Sequence, residues 1–173
     1  MSATSSLSDV NALATHTASS VMNLGSDFFV VIIIIAILFL FAWYIGRGPF
    51  VAVILALYAA SAVYTVFPYM SFLPASPASA SVLAHVGLYA ALTFGFYLIL
   101  RRVVVSDFLY IGVIGLAVLS FLGAGFLIAL GYHSFDVTSV HHFSSAIQAL
   151  FAPSQYFFWW FVGPAIGLFF FAR

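Results

Sequence analysis

Residues 28 to 45 read FFVVIIIIAILFLFAWYI, a run without a charge or a break, and nothing else in the chain restricts its fold so tightly. A helix rising about 1.5 Å per residue needs roughly 20 apolar residues to cross the hydrocarbon of a bilayer. Four later runs pass the same test: residues 49 to 67, 80 to 100, 108 to 130 and 155 to 172. Strands of a membrane barrel would alternate polar and apolar positions over segments of about ten residues, whereas these runs are apolar all round. The expected fold is all-α, a multi-pass (polytopic) membrane protein with five transmembrane helices. Residues 1 to 27 form a polar extracytoplasmic tail and residues 28 to 173 a single helical bundle.

With 65% hydrophobic and 5% charged residues, the chain cannot cover a water-facing surface of ordinary polarity. Its charges are Arg47, Arg101, Arg102 and Arg173 against Asp9, Asp27, Asp107 and Asp136, for a net charge of zero. Nucleic acid is not an expected partner, because no basic face exists to neutralise phosphates. The absence of cysteine removes disulfides, thiolate zinc sites and cysteine nucleophiles together. The tail carries no Lys or Arg, so it lacks the positive region of a cleavable secretory signal and reads as retained.

Orientation follows from the loops, since Lys and Arg in short loops stay on the cytoplasmic side during insertion. Arg47, the pair Arg101 and Arg102, and Arg173 follow the first, third and fifth runs, so all four fall on one side. The expectation is a plasma (inner) membrane protein with its N-terminus outside and its C-terminus cytoplasmic. Trp43 and Tyr44 would belong to the inner aromatic belt; Tyr64, Phe67, Tyr69, Tyr156, Trp159 and Trp160 would belong to the outer one. Gly46, Gly48 and Pro49 are turn formers, which makes the first two spans a tight hairpin with Arg47 at its tip, within reach of lipid headgroups or a partner.

In lipid, helices associate through close packing of small residues. Ala52, Ala56 and Ala60 mark such a face on the second span, and Gly87, Ala91 and Gly95 mark one on the third. Ser120 with Ala124 and Gly125 with Ala129 do so on the fourth, and Gly163 with Gly167 on the fifth. The first span has no such series and is expected on the perimeter. These faces serve either packing within the chain or a homo-oligomer.

An ionisable group in hydrocarbon costs several kcal/mol and marks a candidate site. Only His85 qualifies, on the order of 9 Å inside the outer end of its span. A neutral imidazole there could hydrogen-bond Tyr58, Tyr64 or Ser61 of a neighbouring helix, or relay a proton. The last outer loop holds His133, Asp136, His141 and His142. Val137, Val140, Phe143, Ile147, Leu150 and Phe151 form a stripe at helical spacing there, which predicts an interfacial amphipathic helix capped by Asp136. The adjacent His141 and His142 point about 100° apart on a helix, which suits a polar face rather than a metal site.

No G-x-S-x-G elbow, H-E-x-x-H pair, phosphate-binding G-x-x-x-x-G-K or paired carboxylate is present, so neither enzymatic activity nor a cofactor or metal is expected. Two classes of function remain: a non-enzymatic membrane scaffold or accessory subunit, and a small oligomeric channel or transporter using His85 and the tyrosines of the second span. The residues carried forward are Arg47, Tyr58, Tyr64, His85, His141 and His142. The expected partners are the lipid bilayer and either a second membrane protein or further copies of the chain.

Asp27 before the first span, Gly46-Arg47-Gly48 after it, and the helix of Leu55 to Ala60 resemble the opening of the colicin V production protein (CvpA-like) family. A third span ending in Arg101 and Arg102, then a glycine-rich fourth, extends the likeness over about residues 27 to 130. The resemblance implies a four-span inner-membrane protein with a role in the cell envelope. The longer tail, the histidine-bearing outer loop and a fifth apolar run depart from that pattern.

Overall fold

The computed structural model describes Gly25 and residues 27 to 103, 111 to 135, 137 to 140 and 143 to 171. Among these residues every regular element is helical: α1 (Asp27–Tyr44), α2 (Arg47–Thr65), α3 (Ala78–Val103), α4 (Val113–Ser134), α5 (Ser145–Phe151) and α6 (Ser154–Phe171). Single 3-10 turns lie at Met70–Phe72 and Val137–Ser139. Helices α1 to α4 are long and apolar enough to cross a membrane. Helix α6 has the same 18 residues as α1, but it is not one of those four. Ser154, Gln155, Gly163, Pro164 and Gly167 dilute its apolar character.

The bundle is built from two helix pairs, α2 on α3 and α4 on α6. Small residues set the second contact, because each lets a bulky neighbour close in. A Cβ placed on Gly125 would lie 2.2 Å from the Trp160 ring, and one on Gly167 would lie 2.9 Å from Leu119. Large residues on each helix therefore fill glycine gaps on the other. Ala52, Ala56 and Ala60 on α2 and Ser120, Ala124 and Ala129 on α4 are fully buried, so those faces pack within the chain. The α3 face is different: Gly87, Ala91 and Gly95 are exposed, and a Cβ on either glycine would meet nothing within 4 Å.

Helix α1 lies against this framework by a narrow edge. Ala42 joins the cluster of Phe50, Val51, Ile54, Ile111, Leu116 and Leu119, and Leu38 sits 3.3 Å from the Cβ position of Gly123. Only 11% of the apolar stretch of α1 and 6% of that of α3 is buried, against 50% for α2 and 56% for α4. The perimeter position expected of the first span is thus shared by the third.

Gly46, at φ +112°, supplies the left-handed residue that turns α1 into α2. Arg47 is the first residue of α2 rather than a loop residue. Pro49 is the third, where its missing N–H is one of the four that a helix start leaves unpartnered anyway. Arg101 and Arg102 fall within the last turn of α3, which extends beyond residue 100, and their charge favours the negative end of the helix dipole. Helix α2 stops at Thr65 rather than 67, and α4 runs to Ser134, a turn beyond 130. Residues 108 to 110 and Arg173 lie outside the described residues.

The stretch expected as an interfacial helix divides into the 3-10 turn Val137–Ser139 and the short α5. Ile147 and Phe151 are buried against Ala129, while Val140 and Leu150 are exposed. Asp136, expected as the cap, lies outside the described residues. The residue that starts α5 is Ser144. Its N–H donates to Asp27 Oδ2 at 2.5 Å, which ties the beginning of α1 to this segment.

Candidate functional site in the polar heart of the bundle

Ser61 and Tyr64, three residues apart on α2, share the face turned toward α3. Antiparallel to them, α3 offers Tyr89 and His85, four residues apart, and the two ladders meet rung by rung. Tyr89 Oη donates to Leu57 O at 2.8 Å, and the Ser61 hydroxyl lies 2.8 Å from the same carbonyl and 3.2 Å from Tyr89 Oη. One rung further out, the Tyr64 and His85 rings meet edge to face at 6.4 Å. Phe135, just past α4, caps both Tyr64 and Tyr89 at 5.4 and 5.3 Å.

Tyr58 faces away from α3 toward α6. Its ring stacks on Phe126 and meets Phe161 edge on, each at 5.1 Å. Its hydroxyl donates to Phe161 O and accepts the Ala165 N–H at 3.2 Å. In an undisturbed helix Ala165 N–H would itself reach Phe161 O, four residues back. Pro164 lies between them, lacks an N–H and pushes the preceding turn apart. The Tyr58 hydroxyl bonds to both Phe161 O and Ala165 N–H, so it sits against the turn of α6 that contains Pro164.

A cavity of about 380 Å³ opens among these groups, bordered by Tyr58, Ser61, Tyr64, Tyr89, His133 and Phe157. His133 packs its ring 4.5 Å from Phe157, and its Nε2 hydrogen-bonds Phe151 O at 3.1 Å. A larger, almost wholly apolar cavity of about 610 Å³ lies between α1 and α3, with Tyr89 bordering both. Among the described residues no carboxylate borders either cavity. Among the described residues the polar chemistry available is that of phenols, serine and threonine hydroxyls and one imidazole, mostly engaged with backbone carbonyls.

Of the residues singled out from sequence, Tyr58 and Tyr64 come together at this site and His85 stands behind Tyr64. The bond expected from His85 to Tyr58, Tyr64 or Ser61 is not made. Its Nδ1–H donates instead to Ser81 O of its own helix at 2.8 Å, a local acceptor four residues back that involves no second helix. Arg47 lies at the opposite end of α2, half-buried and remote from the cavity. His141 and His142 lie outside the described residues. Tyr89 is the site residue that sequence reading missed, and His133, read as part of the last outer loop, lies instead in the last turn of α4. Tyr89 was discoverable, since it falls four residues after His85 on the same face, near the middle of the span. The chain matches no protein-family model, no curated protein and no solved structure.

Proposed function

We propose that this chain is a non-enzymatic integral membrane scaffold or accessory subunit of the cell envelope, related to the CvpA-like proteins and set in the inner membrane. The observation that carries this reading is the small-residue face of α3, which no described residue covers. The corresponding faces of α2, α4 and α6 are filled by the chain's own side chains, whereas Gly87, Ala91 and Gly95 stand open on a 26-residue helix. A second helix, from another copy or from a partner protein, packs there by the close backbone approach that small residues allow. The same reading makes α6 a fifth span and α5 an interfacial helix, with the N-terminus outside and the C-terminus in the cytoplasm.

The test is site-directed crosslinking in native membranes from positions 87, 91 and 95. The expected product is one discrete adduct, lost in Gly87→Leu and Gly95→Leu while helicity is retained; diffuse labelling with no adduct overturns the reading. Reporter fusions at both termini check the orientation, and a cytoplasmic N-terminus refutes it.

The cavity bordered by Tyr58, Ser61, Tyr64, Tyr89 and His133 favours a second reading, a small oligomeric channel or transporter. Liposome flux that disappears in Tyr89→Phe or His85→Ala would support it over the scaffold.

A further inference from the structure

The 380 Å³ cavity opens where α2 and α4 end: Thr65 and Ser134 are their last residues, and both are exposed at its border together with His133. The bordering residues of α2 extend from Thr65 back to Tyr58, about 10 Å along the helix. The volume lies near the lower end of the ~300–1,000 Å³ usual for small-molecule sites, so a compact ligand fits it. Rings of Tyr58, Tyr64, Tyr89, Phe157 and Phe161 border it.

The placement of protons decides which ligand suits these walls. Tyr58 Oη donates to Phe161 O, Thr65 Oγ1 to Ala62 O, and His133 Nε2 to Phe151 O. Because a carbonyl only accepts, His133 Nε2 carries the proton, and Nδ1 of the neutral imidazole is left as an acceptor. Ser61 Oγ and Tyr89 Oη each lie 2.8 Å from Leu57 O and 3.2 Å from one another. Two hydroxyl protons cannot serve three such contacts, so one pair of oxygens always faces the other without a proton between them. A donor brought by a ligand to Ser61 and Tyr89 supplies what the chain lacks.

Of the bordering hydroxyls, only those of Tyr64 and Ser134 have protons not committed to a described acceptor. Among the described residues no Lys, Arg, Asp or Glu borders the cavity. An anion would therefore find no formal charge to hold it and few donors to replace its hydration. A cation with N–H groups finds spare acceptors and aromatic rings, whose quadrupoles attract it. The exposed mouth lets it keep part of its hydration.

We propose that this cavity binds a small primary ammonium, R–NH₃⁺, whose N–H groups donate to Ser61 Oγ and Tyr89 Oη. A free alkylamine and the ethanolammonium headgroup of a lipid share this chemistry. Binding here does not require transport, so binding without flux refutes the channel or transporter reading and leaves the ammonium site standing.

The experiment is saturation-transfer NMR of propylammonium added to the full chain in phosphatidylcholine nanodiscs, with the signal of empty discs subtracted. The expected result is transfer to propylammonium, with affinity about tenfold or more weaker for tetramethylammonium, which has the charge without an N–H, and for propanol, which has a donor without the charge. Ser61→Ala and Tyr89→Phe weaken propylammonium binding by a similar factor, with helicity and thermal midpoint retained. Leu98→Ala, which does not border the cavity, leaves binding unchanged. If Tyr89→Phe fails to fold, Ser61→Ala decides alone. Discs that contain phosphatidylethanolamine separate the two sources: a suppressed propylammonium signal identifies the lipid headgroup as the ligand, an undiminished one the free amine, and both support the site. No transfer to propylammonium, equal affinity for tetramethylammonium or propanol, or undiminished affinity in folded Ser61→Ala overturns the proposal.

Discussion

The Tyr58 hydroxyl of α2 accepts the Ala165 N–H of α6 at 3.2 Å and returns a hydrogen bond to Phe161 O. One side chain thereby bridges the turn of a neighbouring helix that contains Pro164 and joins the α2·α3 pair to the α4·α6 pair. Tyr58→Phe removes both bonds, one to the part-buried Phe161 O and one from the Ala165 N–H, at a cost of about 1–3 kcal/mol. In a Pro164→Ala background α6 can close its own ladder, so the same substitution should cost much less. A double-mutant cycle by reversible unfolding in mixed micelles measures the difference, and additive losses would show that Tyr58 and Pro164 are uncoupled.

Glycines on α4 and α3 should respond in opposite ways. Gly125→Ala drives a methyl into the rigid indole of Trp160, which must leave its place against Phe151, and overpacking of this kind costs about 1–3 kcal/mol. Gly95→Ala meets open space and gains helix propensity, so stability should be unchanged or raised by up to about 1 kcal/mol. Thermal unfolding of the two variants side by side gives the comparison, and equal effects would contradict the packing described.

Asp27 holds the start of α1 to the start of α5 through Ser144. Asp27→Ala removes a charged acceptor from a part-buried N–H, which should cost about 1.5–3 kcal/mol. Asp27→Asn keeps an acceptor oxygen and should recover much of that loss. Hydrogen exchange at the Ser144 amide checks this directly: it should accelerate strongly in Asp27→Ala and only slightly in Asp27→Asn.

His85 should be nearly dispensable for folding. Its hydrogen bond is to its own helix and its ring touches Tyr64 only by an edge, so His85→Ala should lower stability by less than about 1 kcal/mol. Tyr89→Phe, which cuts an interhelical bond to Leu57 O, should cost more, near the ~0.6–2 kcal/mol seen for such bonds between membrane helices. The reverse order, read from unfolding curves, would restore His85 as the interhelical contact.

Four of the five expected spans were legible, because hydrocarbon thickness imposes a length that a sequence either meets or fails; the fifth run forms α6, which is not among the helices long and apolar enough to cross. Gly46 and Pro49 located the first hairpin to within two residues, and Ala52, Ala56 and Ala60 identified a face that is in fact buried. The fate of His85 was not legible: an imidazole in a span was expected to seek another helix, but the Ser81 carbonyl is closer and needs no partner. Nor could spacing distinguish Gly87 and Gly95, which are open, from Gly163 and Gly167, which face Leu122 and Leu119. The difference lies in which helix pairs with which, and that is fixed by tertiary geometry rather than by any local pattern.

Because α2 has its main packing partner in α3, and α4 has its own in α6, the two pairs can close in the order in which the ribosome delivers them. The first half need not wait, half-assembled, for the last helix to be made. Two co-expressed fragments divided between residues 104 and 110 should therefore find each other in the membrane and rebuild the parent fold, with Tyr58 as the clasp between them.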